Sequence, residues 1–146
     1  MKNSFKIPQL LLRLALGVGF LTTVSDRLGL LPTDTRNIEW GAWNKFIDYT
    51  ATLIPFLDRP VVNVMGGLAT FFEASIGILL IIGFKTRYAA IASCVLTLIF
   101  ALSMTVFLGI KAPINFAVFG TCSGSLLLST IPVYNWSLDN LFKKSE

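Results

Sequence analysis

The chain contains no histidine. That removes imidazole haem ligation, imidazole metal sites and histidine acid–base chemistry, so no metal site and no catalytic residue is assigned. It has only two cysteines, Cys94 and Cys122, and no C-x-x-C pair, so a dithiol mechanism of the thioredoxin type has no support. Charge is also scarce. Charged residues make up 14% of the chain, where a soluble domain carries nearer a quarter.

What the chain has instead is long apolar runs. Mean hydropathy is +0.72. Four segments stand out, Ile7–Val24, Val61–Gly83, Ala89–Leu108 and Asn115–Ile131. A span needs about 20 mostly apolar residues, and all four reach that length, the first and last narrowly. The expected fold is an all-α integral membrane protein. It is a four-helix transmembrane bundle forming one domain over residues 1–146, with an interfacial amphipathic helix between the first two spans. The net charge of +4 would suggest nucleic acid in a soluble chain; here it marks loops on one side of a bilayer, and no nucleic-acid partner is expected. Lys2 and Lys6 ahead of an apolar run imitate a signal peptide, but Arg13 interrupts the run and no A-x-A-like site follows, so a retained first helix is expected.

Lys2, Lys6, Lys85, Arg87, Lys143 and Lys144 collect on one side of this topology. The denser basic side is expected to be cytoplasmic, which puts both termini inside a bacterial plasma membrane. Gly83 is a natural C-cap ahead of the tight turn to the third span. The cysteines are expected at heights about 7 Å apart, which makes a bridge awkward and leaves them as small buried apolar residues.

Small residues mark expected packing faces. They are Ala15, Gly19 and Thr23 in the first span and Gly66, Ala69, Thr70 and Gly77 in the second. The third carries a ladder of Ala89, Ser93, Thr97, Ala101 and Thr105, and the fourth carries Gly120-x-x-x-Gly124. The long connection from Asp26 to Pro60 is expected to hold an amphipathic helix. Trp40, Trp43, Ile47, Ala51 and Ile54 would form its apolar side, with Asn37 as a cap and Pro55 as its end. It serves either as an aromatic anchor or as a lid over the bundle.

Two charges fall inside spans. Glu73 lies in the middle of the second, where a carboxylate costs a few kcal/mol without a partner. Arg13 lies in the first. Counted from the cytoplasmic ends, Arg13 is about 9 Å and Glu73 about 15 Å deep, a gap of about 6 Å that an arginine side chain can span. An Arg13–Glu73 ion pair is therefore expected, the alternative being that Arg13 snorkels to the headgroups and Glu73 stays neutral. A cavity beneath the outer helix would be lined by Glu73, Thr70 and Gly66, with Met104 facing them and Trp40, Trp43 and Tyr49 as aromatic walls. The competing picture, a closed bundle, is slightly favoured by the regular ladder. Asp26, Arg27 and Lys111 form a candidate polar cluster at the outer end.

The run from Glu73 to Ala89 resembles the DoxX-like membrane proteins. It has the glutamate, the Leu79-Leu80-Ile81-Ile82-Gly83 ending and the Thr86-Arg87-Tyr88-Ala89 turn of that family. Arg13-Leu14-Ala15-Leu16-Gly17, Asp26-Arg27-Leu28-Gly29, the Trp43, Phe46, Tyr49-Thr50 spacing and Phe100-Ala101-Leu102-Ser103-Met104 extend the likeness over nearly the whole chain. The resemblance implies a small membrane bundle. Some relatives accompany quinone-linked oxidoreductases, including thiosulfate:quinone oxidoreductase subunits, and others assemble membrane redox or stress complexes. Other branches end the first helix in Gly-x-x-Lys, where this chain has Asp26-Arg27, so the thiosulfate activity is not carried over directly. The expected role is an accessory or scaffold subunit of a membrane redox system, with membrane oxidoreductase subunits as partners and quinone or another lipid-soluble molecule as candidate ligand. The alternative is a small carrier or proton-coupled transporter working through Arg13 and Glu73.

Overall fold

The computed structural model describes residues 6–31 and 39–142. Asn37, Lys2, Lys143 and Lys144, which figured in the cap and topology expectations, lie outside the described residues. Among the described residues seven helices follow in order: α1 Lys6–Arg27, α2 Trp43–Leu53, α3 Arg59–Ile82, α4 Thr86–Leu108, α5 Lys111–Asn115, α6 Val118–Ser129 and α7 Leu138–Phe142. No strand occurs among the described residues. Helices α1, α3 and α4 are long and apolar enough to cross a membrane.

The fourth apolar segment departs from expectation. Instead of one helix over Asn115–Ile131, the chain turns at Ala117, whose φ is 52°, and α6 is only 12 residues long. At 1.5 Å per residue that is about 18 Å, well short of a hydrocarbon core of about 30 Å. Hydropathy does not register a backbone break between two apolar stretches. The short helix still completes the architecture, because α1 packs on α3, α3 on α4, α4 on α6 and α6 on α1.

The expected packing faces are found on α4 and on α3, where Gly66, Thr70 and Gly77 are buried, and only in part on α1 and α6, where Gly124 packs against Leu12. Ala89, Ser93, Thr97 and Ala101 are all buried. On α1, however, the contact residue is Gly17. A Cβ there would come within 2.9 Å of the Gly77 carbonyl oxygen, and one on Gly77 within 3.1 Å of the Gly17 carbonyl oxygen. The two helices therefore cross backbone to backbone at these glycines, which sets their register. Gly19 faces open space, as does Gly120 on α6. The α4–α6 seam is made by other small residues. Ser93 Oγ lies 2.7 Å from Ser125 Oγ. Cys94 Sγ lies 3.5 Å from Cys122 Sγ, at the same height rather than a turn apart.

At the end carrying both termini, the C-terminal segment folds back against the helices. Gly83 ends α3 in the left-handed region at φ 70°, and its N–H donates to the Leu79 carbonyl. No other residue fits, since a Cβ there would lie 2.4 Å from Ser137 Cβ. Asp139 then caps α4 from the far end of the sequence, accepting the N–H groups of Lys85 and Thr86 at 2.7 and 2.8 Å. Tyr134 donates its hydroxyl to the Leu128 carbonyl and joins Leu16, Leu80 and Leu128 in the core at this end.

Candidate functional site

The opposite end holds a buried polar site. Arg27, the last residue of α1, turns inward along α3 and meets Glu73. Nη1 is 2.5 Å from Oε2 and Nη2 is 3.2 Å from Oε1, with 6% and 3% of the two side chains exposed. Nη1 also lies 3.4 Å from Thr70 Oγ1. The guanidinium is covered by Phe46, 4.1 Å to the ring centroid, and by Trp40 at 5.1 Å. Both aromatic faces are attractive to a desolvated cation.

The pair expected from the sequence, Arg13 with Glu73, does not form. The Gly17–Gly77 crossing explains why. Arg13 is four residues before Gly17 and Glu73 four residues before Gly77, but the helices are antiparallel. The two side chains therefore leave the crossing in opposite directions, about 12 Å apart in height. Counting depth from helix ends had assumed that the ends were level. Arg13 lies at the terminal end instead, 2% exposed, and donates to the Trp136 carbonyl at 2.7 Å.

Asp26 and Arg27 do act together, though not with Lys111, which is exposed on α5. The Asp26 carboxylate accepts the backbone N–H groups of Glu39, Trp40 and Gly41 at 2.9 to 3.0 Å. This fastens the connection onto the end of α1 and brings Trp40 over Arg27. The outer polar cluster of Asp26, Arg27 and Lys111 is thus replaced by a clamp, in which Asp26 holds the loop and Arg27 holds Glu73.

Helix α2 completes the roof. Phe46 and Ile47 are buried against Val62, while Lys45 and Asp48 are exposed. Gly66, expected to line a cavity, is occupied by this packing, since a Cβ there would meet Ile47 Cδ1 at 2.6 Å. Trp43 packs beside Phe46 and donates its indole N–H to Asn63 Oδ1 at 2.8 Å.

Below α2 the bundle is open rather than closed. A cavity of about 310 Å³ lies between α1, α2, α3, α4 and α6. Ala15, Gly19 and Thr23 of α1 line it, so their small size makes room instead of a helix contact. Glu73 and Arg27 form one polar wall; Thr97 and Thr121 also line the cavity, their hydroxyls donating to the Ser93 and Ala117 carbonyls. Tyr49, Trp40, Phe100 and Met104 are among the apolar and aromatic walls. The Tyr49 hydroxyl is buried with no hydrogen-bond partner among the described residues. Burial, followed by the Glu39 charge, pushes its pKa up, so at neutral pH it remains a donor.

Of the residues singled out from sequence, Glu73, Tyr49 and Met104 line this cavity, Thr70 touches it through Arg27, and Arg13 and Trp43 do not. Trp40 lines it as the aromatic wall expected, whereas Thr97 and Thr121 were not foreseen as lining residues. The signal for α1 was present in the Asp26-Arg27 pair at a helix end, which the sequence assigned to a polar cluster with Lys111 and not to Glu73.

No curated protein and no solved structure matches the chain. The family model DoxX matches residues 9–108, which covers α1 to α4 and with them the Asp26–Arg27–Glu73 arrangement. The chain is a multi-pass membrane protein and belongs to the DoxX family.

Proposed function

We propose that this protein binds a flat, lipid-soluble molecule of the quinone class in the cavity beneath α2, and serves as a small accessory subunit of a membrane redox system. The observation that carries the reading is the cavity itself. Its volume of about 310 Å³ suits a single substituted ring with its tail directed outward. Its walls are mostly apolar, and its polar groups are few and fixed. Tyr49 offers a free O–H to a carbonyl oxygen, whereas the Thr97 and Thr121 hydroxyls donate to the Ser93 and Ala117 carbonyls and have only acceptor capacity left for a ligand. The Arg27–Glu73 pair adds a charged wall, in which Arg27 Nε is buried without a hydrogen-bond partner among the described residues.

Membrane oxidoreductase subunits are the proposed partners, and the bacterial plasma membrane with both termini cytoplasmic is the proposed setting. A carrier working through Arg13 and Glu73 loses its geometric basis, because those residues are held at different ends of the α1–α3 crossing.

The test is direct binding. Detergent-purified protein is extracted for co-purifying quinone, and the stripped protein is titrated with a short-tailed benzoquinone. Stoichiometric binding is expected. Tyr49→Phe should weaken it by about 3- to 10-fold, the equivalent of one hydrogen bond of about 0.5–1.5 kcal/mol. Absence of both retained quinone and measurable titration would remove the ligand reading and leave a scaffold.

A further inference from the structure

The chain has two cysteines, and the fold brings both to one place. Cys94 on α4 and Cys122 on α6 are free thiols whose sulfurs are 3.5 Å apart. They are 28 residues apart in sequence and lie on different helices. Nothing in the cavity chemistry uses them. We propose that Cys94 and Cys122 are a dithiol–disulfide couple that is oxidised by a bilayer-dissolved quinone and, when oxidised, covalently ties α4 to α6.

The geometry favours closure. A disulfide has an S–S length of about 2.05 Å, so the sulfurs need to approach by about 1.5 Å. The helices are already close at this level, since the Ser93 and Ser125 hydroxyls, the next small residues along the seam, are 2.7 Å apart. Cys122 Sγ is also 3.5 Å from the Cys94 carbonyl oxygen, so the α6 thiol already sits against the α4 backbone.

The surroundings choose the oxidant. Both thiols are only half-buried, and their neighbours Val95, Leu98, Phe119 and Leu126 are exposed apolar side chains of helices in a membrane protein. A reagent reaches the pair through the acyl-chain region, which admits quinones and excludes charged, water-soluble thiol reductants. The reaction balances with a quinone alone. Two S–H bonds break and one S–S bond forms. Two electrons and two protons pass to the quinone, which leaves as quinol. The inference rests on the proposed ligand class for its oxidant only. The consequence reaches the cavity, because Thr97 lies one turn from Cys94, Thr121 is next to Cys122, and both threonines line its wall.

The experiment uses the whole reduced protein in lipid nanodiscs, treated without oxygen with decylubiquinone. After denaturation, thiols are counted by a maleimide–polyethylene glycol gel shift, and quinol is read by absorbance. The expected result is a fall from two labelled thiols per chain to none and one quinol per chain. The protein should run as a monomer on a non-reducing gel, with tryptic peptides 88–111 and 112–143 linked. Cys94→Ser and Cys122→Ser should each produce no quinol. Two free thiols after treatment, a mass showing quinone added to sulfur, or a link between two chains would each overturn the couple. Quinone affinity for the cavity is measured separately on Cys94→Ser. Retained affinity with unoxidised wild-type thiols therefore refutes the couple alone, and lost affinity with an oxidised pair refutes the cavity alone.

Discussion

Removing Arg27 should be among the most damaging single changes in this protein, and the damage should disappear when Glu73 is removed as well. In Arg27→Leu the Glu73 carboxylate loses both guanidinium contacts in a site where its side chain is 3% exposed. It avoids a bare charge by taking a proton, which for an ordinary glutamic acid at pH 7 costs about 3.7 kcal/mol. Loss of the cation–π contacts with Phe46 and Trp40 adds about 0.5–2 kcal/mol, offset in part by the apolar leucine. The expected cost is about 3–5 kcal/mol, the range for breaking one partner of a buried pair. Glu73→Leu should cost less. Arg27 stands at the end of α1 and can swing toward the headgroups on its flexible stem. The double Leu variant should recover most of the loss, giving a coupling of at least about 2 kcal/mol. Arg13→Leu combined with Glu73→Leu should be additive within about 0.5 kcal/mol, as for residues without shared partners. Unfolding in mixed micelles reads the wild type, the three single variants and the two doubles, with tryptophan fluorescence reporting on Trp40 above the guanidinium. Additive losses for Arg27 and Glu73, or coupling between Arg13 and Glu73, would refute the α1–α3 register derived from the Gly17–Gly77 crossing.

Other consequences follow from the same geometry. Gly17→Val and Gly77→Val should each destabilise by about 1–3 kcal/mol or more through overpacking, whereas Gly19→Ala, with open space before it, should fold normally and reduce quinone affinity by filling the cavity; equal stability losses at all three positions would contradict the assigned contact face. Asp139→Ala should cost about 1 kcal/mol in thermal unfolding, because it leaves the Lys85 and Thr86 N–H groups at the start of α4 uncapped. Asp26→Ala should release the loop from Glu39 to Gly41, shift the emission of Trp40 to the red and weaken quinone binding while Arg27 and Glu73 are intact. In a background with both cysteines replaced by serine, Asn44→Cys should react with an impermeant maleimide in intact cells and Ser145→Cys should not, as expected for cytoplasmic termini; the reverse pattern would invert the topology.

The sequence by itself determined the composition-level properties of this protein. Scarce charge and four long apolar runs required helices that satisfy their own backbone in lipid, although the fourth run proved to be broken. Gly83 fixed a helix end because glycine enters the left-handed region without the steric cost of a Cβ. The buried ladder on α4 was legible because spacing of four keeps residues on one face. The likeness to the DoxX family was readable in the run from Glu73 to Ala89. Sequence also showed that Glu73 needed a partner. What it could not supply was the partner's identity, since two arginines on α1 were available and the choice depends on the relative height of two helices. That height is set by one backbone contact, Gly17 against Gly77, which no periodicity reveals because Gly19 has the same composition and faces a void. The same reason governs the cysteines, whose juxtaposition depends on where α6 begins after the turn at Ala117. It governs the cavity too. A small side chain permits either close packing or empty space, and only the positions of all the neighbouring helices decide between them.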